Sequence, residues 1–98
     1  MKVGILISLA TDPITKKQPS YKEIRAMARK AEQLGFDSIW VYDHLLYRNE
    51  GEPDSGIWEC WTTLSALADA TKRIEIGTMV ACTAFRNPAL LANGCDAR

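Results

Sequence analysis

The residues best suited to chemistry in this sequence are Asp43 and His44, which stand side by side after an apolar run. Histidine has an unperturbed pKa near neutrality, so His44 could transfer a proton or hydrogen-bond to a reduced cofactor. A neighbouring carboxylate could fix its tautomer, although adjacent residues on a strand point to opposite faces. A loop histidine that only caps or packs is the competing interpretation. His44 is the only histidine of the chain, so it has no histidine partner for a metal site.

A second candidate segment covers residues 78–86, which are small and polar up to the aromatic Phe85. Gly77, directly before it, permits close approach of the backbone to another group. The segment could therefore lie against a planar ring, although a simple turn into a following helix is an equally good interpretation. Cys82 has no visible activating partner in the sequence, so we predict no nucleophile here.

The composition is that of an ordinary soluble globular protein, with 98 residues, 47% hydrophobic residues and a formal net charge of zero. No basic stripe offers phosphate neutralisation, and no run approaches the roughly 18 apolar residues of a membrane span. Neither nucleic acid nor a membrane is therefore predicted as a partner. Cys60, Cys82 and Cys95 are odd in number and lack metal-ligand spacing, which predicts a reduced, cytoplasmic protein without a metal site.

Three short apolar runs, at residues 3–9, 38–42 and 73–80, are predicted to form the strands that position these segments. Two stretches with helical periodicity separate them, at residues 21–34 and from near residue 58 to residue 71. The order βαβαβ predicts an α/β protein with a parallel sheet and right-handed crossovers. Such proteins place their chemistry at the carboxyl ends of the strands, so the segments that follow the three strands should converge there.

Capping residues mark where helices begin. Ser20 and Glu23 form an S-x-x-E capping box before the first helix, in which each side chain can satisfy an orphan backbone donor. Asn87 and Pro88 are typical of a helix start, because proline is tolerated best at the first helical position. We expect this third helix to be interrupted at Gly94, soon after it begins.

Residues 45–56 contain asparagine, proline and two glycines, and are predicted to form an irregular loop. Of the three tryptophans, Trp40 within a strand and Trp61 on an apolar helix face are predicted to lie in the core. Trp58 is the most suitable of the three for lining a pocket. The sequence contains no G-x-G-x-x-G, Walker or G-x-S-x-G motif, which argues against the usual nucleotide-binding and hydrolase classes.

Residues 31–44, AEQLGFDSIWVYDH, resemble the signature of the luciferase-like monooxygenase family. So do residues 73–80, RIEIGTMV, followed by residues 85–92, FRNPALLA. The resemblance covers nearly everything from residue 1 to residue 92. It implies the first three strands of a TIM (β/α)8 barrel. It also implies hydride or oxygen transfer to a small organic substrate, with reduced FMN or a deazaflavin coenzyme of the F420 type as cofactor.

The Asp–His pair and the Cys-x-x-Phe-Arg-Asn-Pro stretch look most similar to the branch of the family that uses deazaflavin. In that branch the histidine after the second strand lies beside the reacting ring, so the resemblance implies that His44 is catalytic. A cis peptide bond commonly ends the third strand and presses against the ring, and Met79–Val80 is the matching bond. The residues implied as cofactor-binding are Asp43, Thr78, Met79, Val80, Cys82 and Thr83.

The resemblance ends after Ala92, where the family continues its helix toward a fourth strand and this sequence does not. A barrel takes about 250 residues, so residues 1–98 form a partial domain with roughly three of the eight βα units. We expect the chain alone to be inactive. Because both outer strands would expose unpaired edges, it should form a homo-oligomer or need the missing C-terminal part. Two alternatives stay open: a non-catalytic α/β module that self-associates or binds a planar ligand, and the product of a disrupted gene.

Overall fold

The structure is a computed structural model that describes residues 1–95. Its strands are β1 (Gly4–Leu6), β2 (Ser38–Val41), β3 (Leu46–Tyr47), β4 (Ser55–Gly56) and β5 (Glu75–Thr78). Its helices are α1 (Tyr21–Gln33), α2 (Cys60–Ala70) and α3 (Pro88–Cys95), and a short 3-10 turn covers Thr83–Phe85. Residues 96–98 lie outside the described part of the chain.

The predicted parallel sheet is confirmed, with strand order β1-β2-β5. Both pairings are parallel, and Trp40 stands level with Leu6 on one side and Gly77 on the other. Strand β1 is shorter than predicted, because beyond Ile7 its backbone turns to another acceptor. The amides of Leu9 and Ala10 both donate to the Tyr42 hydroxyl, at 2.9 Å each, instead of continuing the strand ladder.

One face of the sheet carries the core. Ile39 and Val41 alternate onto this face, are fully buried and belong to the same apolar cluster as residues of α1 and α2. The buried members of the cluster are Ile7, Leu9, Ile24, Ala28, Ala31, Ile39, Val41, Cys60, Leu64, Leu67 and Ile74. Pleat alternation turns Leu6 and Trp40 to the other face, where Leu6 is more than half exposed. Trp40 is only half-buried there, so the prediction that it lies in the core is wrong.

Glycine makes room for the Trp40 ring on this second face. A Cβ atom at Gly77 would lie 2.8 Å from Cζ3 of Trp40, and one at Gly4 would lie 2.7 Å from its Nε1. Contacts this short would force the ring to move. The Trp40 Nε1 donates to the Ser38 hydroxyl at 2.9 Å, which fixes the ring along the strand.

The capping box of α1 is confirmed, since the Ser20 hydroxyl accepts from the Glu23 amide and the Glu23 carboxylate accepts from the Ser20 amide. Helix α2 begins after Glu59, whose carboxylate accepts from the amides of Trp61 and Thr62. Helix α3 runs through Gly94, so the predicted interruption there is wrong. A Cβ at Gly94 would lie 3.2 Å from Cζ3 of Trp61, so the missing side chain lets α3 approach α2 closely.

The prediction of an irregular loop at residues 45–56 is also wrong. Strands β3 and β4 pair antiparallel within it and form a small hairpin. Two-residue strands are too short for an alternation pattern, which is why periodicity could not reveal them. The Trp58 amide donates to the Leu9 carbonyl at 3.2 Å, so the chain after the hairpin is tied to the end of β1.

Candidate functional site

Asp43 lies just beyond β2 and links that strand to the segment after β5. Its side chain is 1% exposed. Oδ2 accepts from the Cys82 amide at 3.0 Å and from Nε of Arg86 at 3.3 Å, and Oδ1 accepts from Nη2 of Arg86 at 2.5 Å. The carboxylate is therefore enclosed by groups of the protein, and these groups all belong to residues 82–86.

Arg86 joins a third element to this link. Its Nη2 also contacts Oε1 of Glu59 at 2.7 Å, and Glu59 caps the start of α2. Partial burial raises the pKa of Glu59, but hydrogen bonds from Thr62, Arg86 and Trp61 outweigh burial and lower that pKa to about 2. Desolvation lowers the pKa of Arg86, and the two carboxylates more than reverse this and raise it. Glu59 and Arg86 therefore stay charged, as carboxylate and guanidinium.

His44 is exposed and lies among aromatic rings. Its ring centroid is 5.6 Å from that of Tyr42 and 5.3 Å from that of Tyr47. Burial, followed by the neighbouring Tyr42, raises the pKa of the Tyr47 phenol. Within residues 1–95 no hydrogen bond joins the Asp43 carboxylate to the His44 ring, in keeping with the opposite directions of adjacent strand residues. Asp43 is thus linked to His44 through the backbone they share.

The segment after β5 carries the other predicted cofactor-binding residues. The Met79 amide donates to the Val41 carbonyl at 2.7 Å, so the segment starts directly beside the end of β2. The Met79–Val80 peptide bond is cis, as the family resemblance implied. Met79 is 51% exposed and Val80 is 74% exposed, and Cys82 is half-buried behind them. The structure therefore joins Asp43 to Cys82 directly and places Thr78 and Met79, followed by Val80, beside the end of β2. His44 follows Asp43 in the chain, and Thr83 begins the 3-10 turn after Cys82.

Sequence reasoning missed a cleft of about 720 Å³ between the loop after β1 and the β3–β4 hairpin. Ser8, Asp12 and Tyr47 are among the residues that line it. Asp12 shapes the loop, since its Oδ1 accepts from the amides two and three residues later, at 2.8 and 2.6 Å. An Asp followed by Pro is a recognisable turn signal, but nothing local shows that the turn faces a hairpin. Trp58 lies outside this cleft and donates to the Pro19 carbonyl at 2.7 Å.

Trp61, which was predicted to lie in the core, is only half-buried. It lines a smaller cavity of about 280 Å³ together with residues of β5 and α3. Burial, followed by the charges of Asp43 and Glu59, raises the pKa of the Cys60 thiol to about 12, so this cysteine is held protonated. No group of His, Cys, Asp or Glu side chains in residues 1–95 is arranged to hold a metal ion. No helix among the same residues is long and apolar enough to cross a membrane.

Comparison with known proteins agrees with this architecture. The sequence profile described as Luciferase-like monooxygenase matches residues 1–95. The chain belongs to the luciferase-like monooxygenase family.

Two curated relatives illustrate the similarity. An F420-dependent glucose-6-phosphate dehydrogenase of Amycolatopsis mediterranei (strain U-32) is 41% identical over 75 residues, which are 72% of this chain and 21% of the relative. A 5,10-methylenetetrahydromethanopterin reductase of Methanolobus tindarius is 35% identical over 83 residues, which are 85% of this chain and 20% of the relative. The chain thus spans about a fifth of the length of the curated relatives it matches.

Among solved structures, the chain is similar to an F420-dependent secondary alcohol dehydrogenase in complex with an F420-acetone adduct. The TM-score is 0.70 at 29% identity, over 95% of this chain and 26% of the dehydrogenase. The luciferase-like chain therefore shares its strand and helix arrangement with about a quarter of that enzyme.

Proposed function

We propose that this chain forms part of the cofactor site of an oxidoreductase that uses a deazaflavin coenzyme of the F420 type to transfer hydride to or from a small organic substrate. Relatives named as F420-dependent dehydrogenases support this proposal, and so does the similar structure that holds an F420-acetone adduct. Because the chain spans only about a fifth of these relatives, the complete reaction needs the rest of such a protein. For the same reason we expect activity from this chain together with the rest of such a protein, and not from the isolated chain.

The sequence left open the choice between FMN and deazaflavin, and between hydride and oxygen transfer. We propose deazaflavin and hydride transfer because the relatives are named for F420 and for dehydrogenase activity. Monooxygenation is supported here only by the family description.

The residues at the carboxyl end of the sheet fit a planar, largely apolar ring. Met79 and Val80 expose apolar side chains where β5 ends. The Asp43 carboxylate is buried and paired with Arg86, so it is not an uncompensated charge beside this apolar surface. His44 supplies a polar group near the same place. Val41, three residues before His44, accepts a hydrogen bond from the Met79 amide at its carbonyl. An apolar wall with a few convergent polar groups is typical of cofactor sites.

Each of these residues would have a distinct task. When bound, the coenzyme would supply or accept the hydride. Residues Thr78, Met79, Val80, Cys82 and Thr83 would form the wall that orients the ring and excludes water from one face. His44 would hold or release a proton at an imidazole nitrogen. Asp43, enclosed by Arg86 and the Cys82 amide, would fix the wall in place instead of touching the ligand.

The observation that carries the proposal is that the segment after β5 is hydrogen-bonded to the end of β2, just before His44, at the carboxyl end of a parallel sheet. In α/β proteins of this kind, ligands bind at that end of the strands. The family membership and the F420-dependent relatives give the ligand its chemical class.

Two matched valine variants test the proposal. Val80 lies at the carboxyl end of the sheet, and Val3 is an exposed valine at the amino end. The probe is the deazaflavin chromophore without its phosphate-bearing tail, titrated into the purified chain and followed by its fluorescence. We expect Val80→Asn to weaken binding by roughly tenfold, as the loss of apolar contact of about 1.4 kcal/mol would. Val3→Asn should leave the affinity unchanged.

A chain that does not bind the chromophore at millimolar concentration would contradict the proposal and favour a non-catalytic module. Equal losses in the two variants would show that the ring does not lie at the carboxyl end.

A further inference from the structure

We propose that Arg86 is the positioning residue of this site. It holds His44 and the segment of residues 79–83 in one fixed arrangement through Asp43 and Glu59. The identity of the ligand in this inference rests on the proposed function, whereas the arrangement itself rests on the contacts of the described residues.

The Arg86 guanidinium connects elements that are far apart in sequence. Asp43 follows β2, Glu59 precedes α2, and Arg86 itself follows the segment after β5. Its side chain is 18% exposed, and its Nη2 reaches one oxygen of each carboxylate. No other side chain among residues 1–95 bridges two carboxylates in this way. One cation therefore sets the distance between three elements that meet at the carboxyl end of the sheet.

Asp43 connects Arg86 to both parts of the site, His44 and the segment of residues 79–83. It is bonded in sequence to His44, and its Oδ2 also accepts the amide of Cys82. With Arg86 in place, the carboxylate cannot turn without breaking three hydrogen bonds. The contacts of Asp43 with Arg86 and Cys82 thereby fix the position of His44 relative to residues 79–83. Misplacement of a catalytic group by about 1 Å can cost roughly 100-fold in rate, so such a constraint matters for activity.

The geometry needs arginine and not merely a positive charge. A guanidinium is planar and offers several N–H donors in a fixed fork, whereas a lysine ammonium is a compact point charge on a flexible stem. Nε and Nη2 of Arg86 contact both oxygens of Asp43, and Nη2 also contacts Glu59. Lysine could neutralise Asp43, but it could not keep this two-point contact.

Arg73 provides a matched control at the opposite end of the sheet. Its Nη2 donates to the carbonyls of Glu32 and Phe36, at 3.0 and 2.9 Å, so it too ties elements together. The experiment compares Arg86→Met, Arg86→Lys and Arg73→Met in the full chain. The readouts are the imidazole proton signal of His44, amide exchange at Cys82 and affinity for the deazaflavin chromophore. His44 gives an unambiguous signal because it is the only histidine.

We expect Arg86→Met to shift the His44 signal, to speed exchange at Cys82 and to weaken chromophore binding by roughly tenfold or more. Arg86→Lys should recover cooperative folding without recovering the His44 signal or the affinity. Arg73→Met should lower thermal stability and leave the three site readouts as in the unchanged chain. Unchanged readouts in Arg86→Met, or equal changes in Arg73→Met, would overturn the inference.

Two further measurements keep the inference separate from the proposed function and from folding failure. If the unchanged chain does not bind the chromophore, the proposed function fails, while the His44 signal and the Cys82 exchange still decide the role of Arg86. If Arg86→Met does not fold, Glu59→Gln replaces it, because the amide oxygen can keep the helix cap while losing the charge contact. Glu59→Gln should move the same two readouts in the same direction by a smaller amount, and no movement would overturn the inference.

Discussion

At each end of the parallel sheet a carboxylate accepts hydrogen bonds from the chain next to β5. Glu32 does so at the amino end and Asp43 at the carboxyl end. Oε2 of Glu32 accepts from three successive amides, those of residues 72, 73 and 74, at 2.7–2.9 Å. Asp43 accepts from a single amide, that of Cys82, and otherwise from Arg86. The Glu32 carboxylate thus accepts hydrogen bonds from backbone donors, whereas the Asp43 carboxylate depends on a side-chain cation.

The surroundings of the two carboxylates differ in the same sense. Around Glu32, Arg73 closes the connection by donating to backbone carbonyls. Around Asp43, the wall in front of the network exposes Met79, Val80 and His44. In barrels of this kind the amino end serves stability and the carboxyl end carries the chemistry. A carboxylate that accepts several hydrogen bonds can therefore close the fold at the amino end of the sheet and support an exposed site at the carboxyl end.

The largest effect is expected from Asp43→Ala, which leaves the Arg86 cation partly buried with only Glu59 as partner. Breaking a buried ion pair from one side costs about 3–5 kcal/mol of the free energy of unfolding. Asp37→Ala is the control at the amino end, since among residues 1–95 the Asp37 carboxylate accepts only the Val3 amide, at 2.7 Å. Its expected cost is about 1 kcal/mol. Urea unfolding followed by tryptophan fluorescence compares the two, and equal losses would break the contrast between the ends of the sheet.

A smaller effect is expected from Glu32→Ala. Two of the three amides that lose their acceptor belong to the exposed residues Lys72 and Arg73, where water can replace part of the contact, so we expect a loss of about 1–2 kcal/mol. Amide exchange at residues 72–74 should accelerate, whereas exchange at Cys82 should stay unchanged. Acceleration at Cys82 in this variant would show that the two ends are not independent.

The pH dependence of the free energy of unfolding tests the contribution of Glu32 at the amino end. Hydrogen bonds from the amides of Ile74 and Arg73 lower the pKa of Glu32 from 4.5 to about 2. Because the folded-state pKa is lowered, this contribution to stability is present above pH 4.5 and is lost as the pH falls toward 2. Solvent screening limits it to about 1 kcal/mol. The free energy of unfolding should fall less steeply between pH 5 and pH 2.5 in Glu32→Gln than in the unchanged chain, and equal slopes would refute this assignment.

The smallest effect is expected at an ion pair that belongs to neither end. Nε of Arg48 lies 3.1 Å from Oδ2 of Asp54 in the hairpin, and both side chains are mostly exposed. Exposed pairs contribute about 0–1 kcal/mol, so Arg48→Ala should change the urea midpoint very little. A loss as large as that of Glu32→Ala would mean that the hairpin supports the sheet more than its contacts indicate.

Local signals in the sequence predicted the parts of the fold that depend on neighbouring residues. The capping box of Ser20 and Glu23 lies within four residues, and the structure has both of its hydrogen bonds. Helical periodicity and apolar runs gave the βαβαβ order because each pattern lies within one element. Family resemblance added the cis Met79–Val80 bond, which no propensity could indicate.

The features that were missed depend on residues distant in sequence or on elements too short for a pattern. Arg86 lies 43 positions from Asp43, so their contact leaves no periodic trace. The close approach of Gly94 in α3 to the Trp61 ring in α2 joins two helices that are distant in sequence. The half-exposed position of Trp40 follows from which face of the sheet the helices cover, and a single strand cannot reveal this.

A deazaflavin ring bound at the carboxyl end of the sheet should leave a footprint in amide exchange. Exchange would be measured along residues 1–95 with and without the deazaflavin chromophore at saturating concentration. We predict slower exchange at His44, Val80 and Cys82 and no change at Val3 and Ile74. Protection at the amino end, or no protection anywhere despite binding, would contradict it.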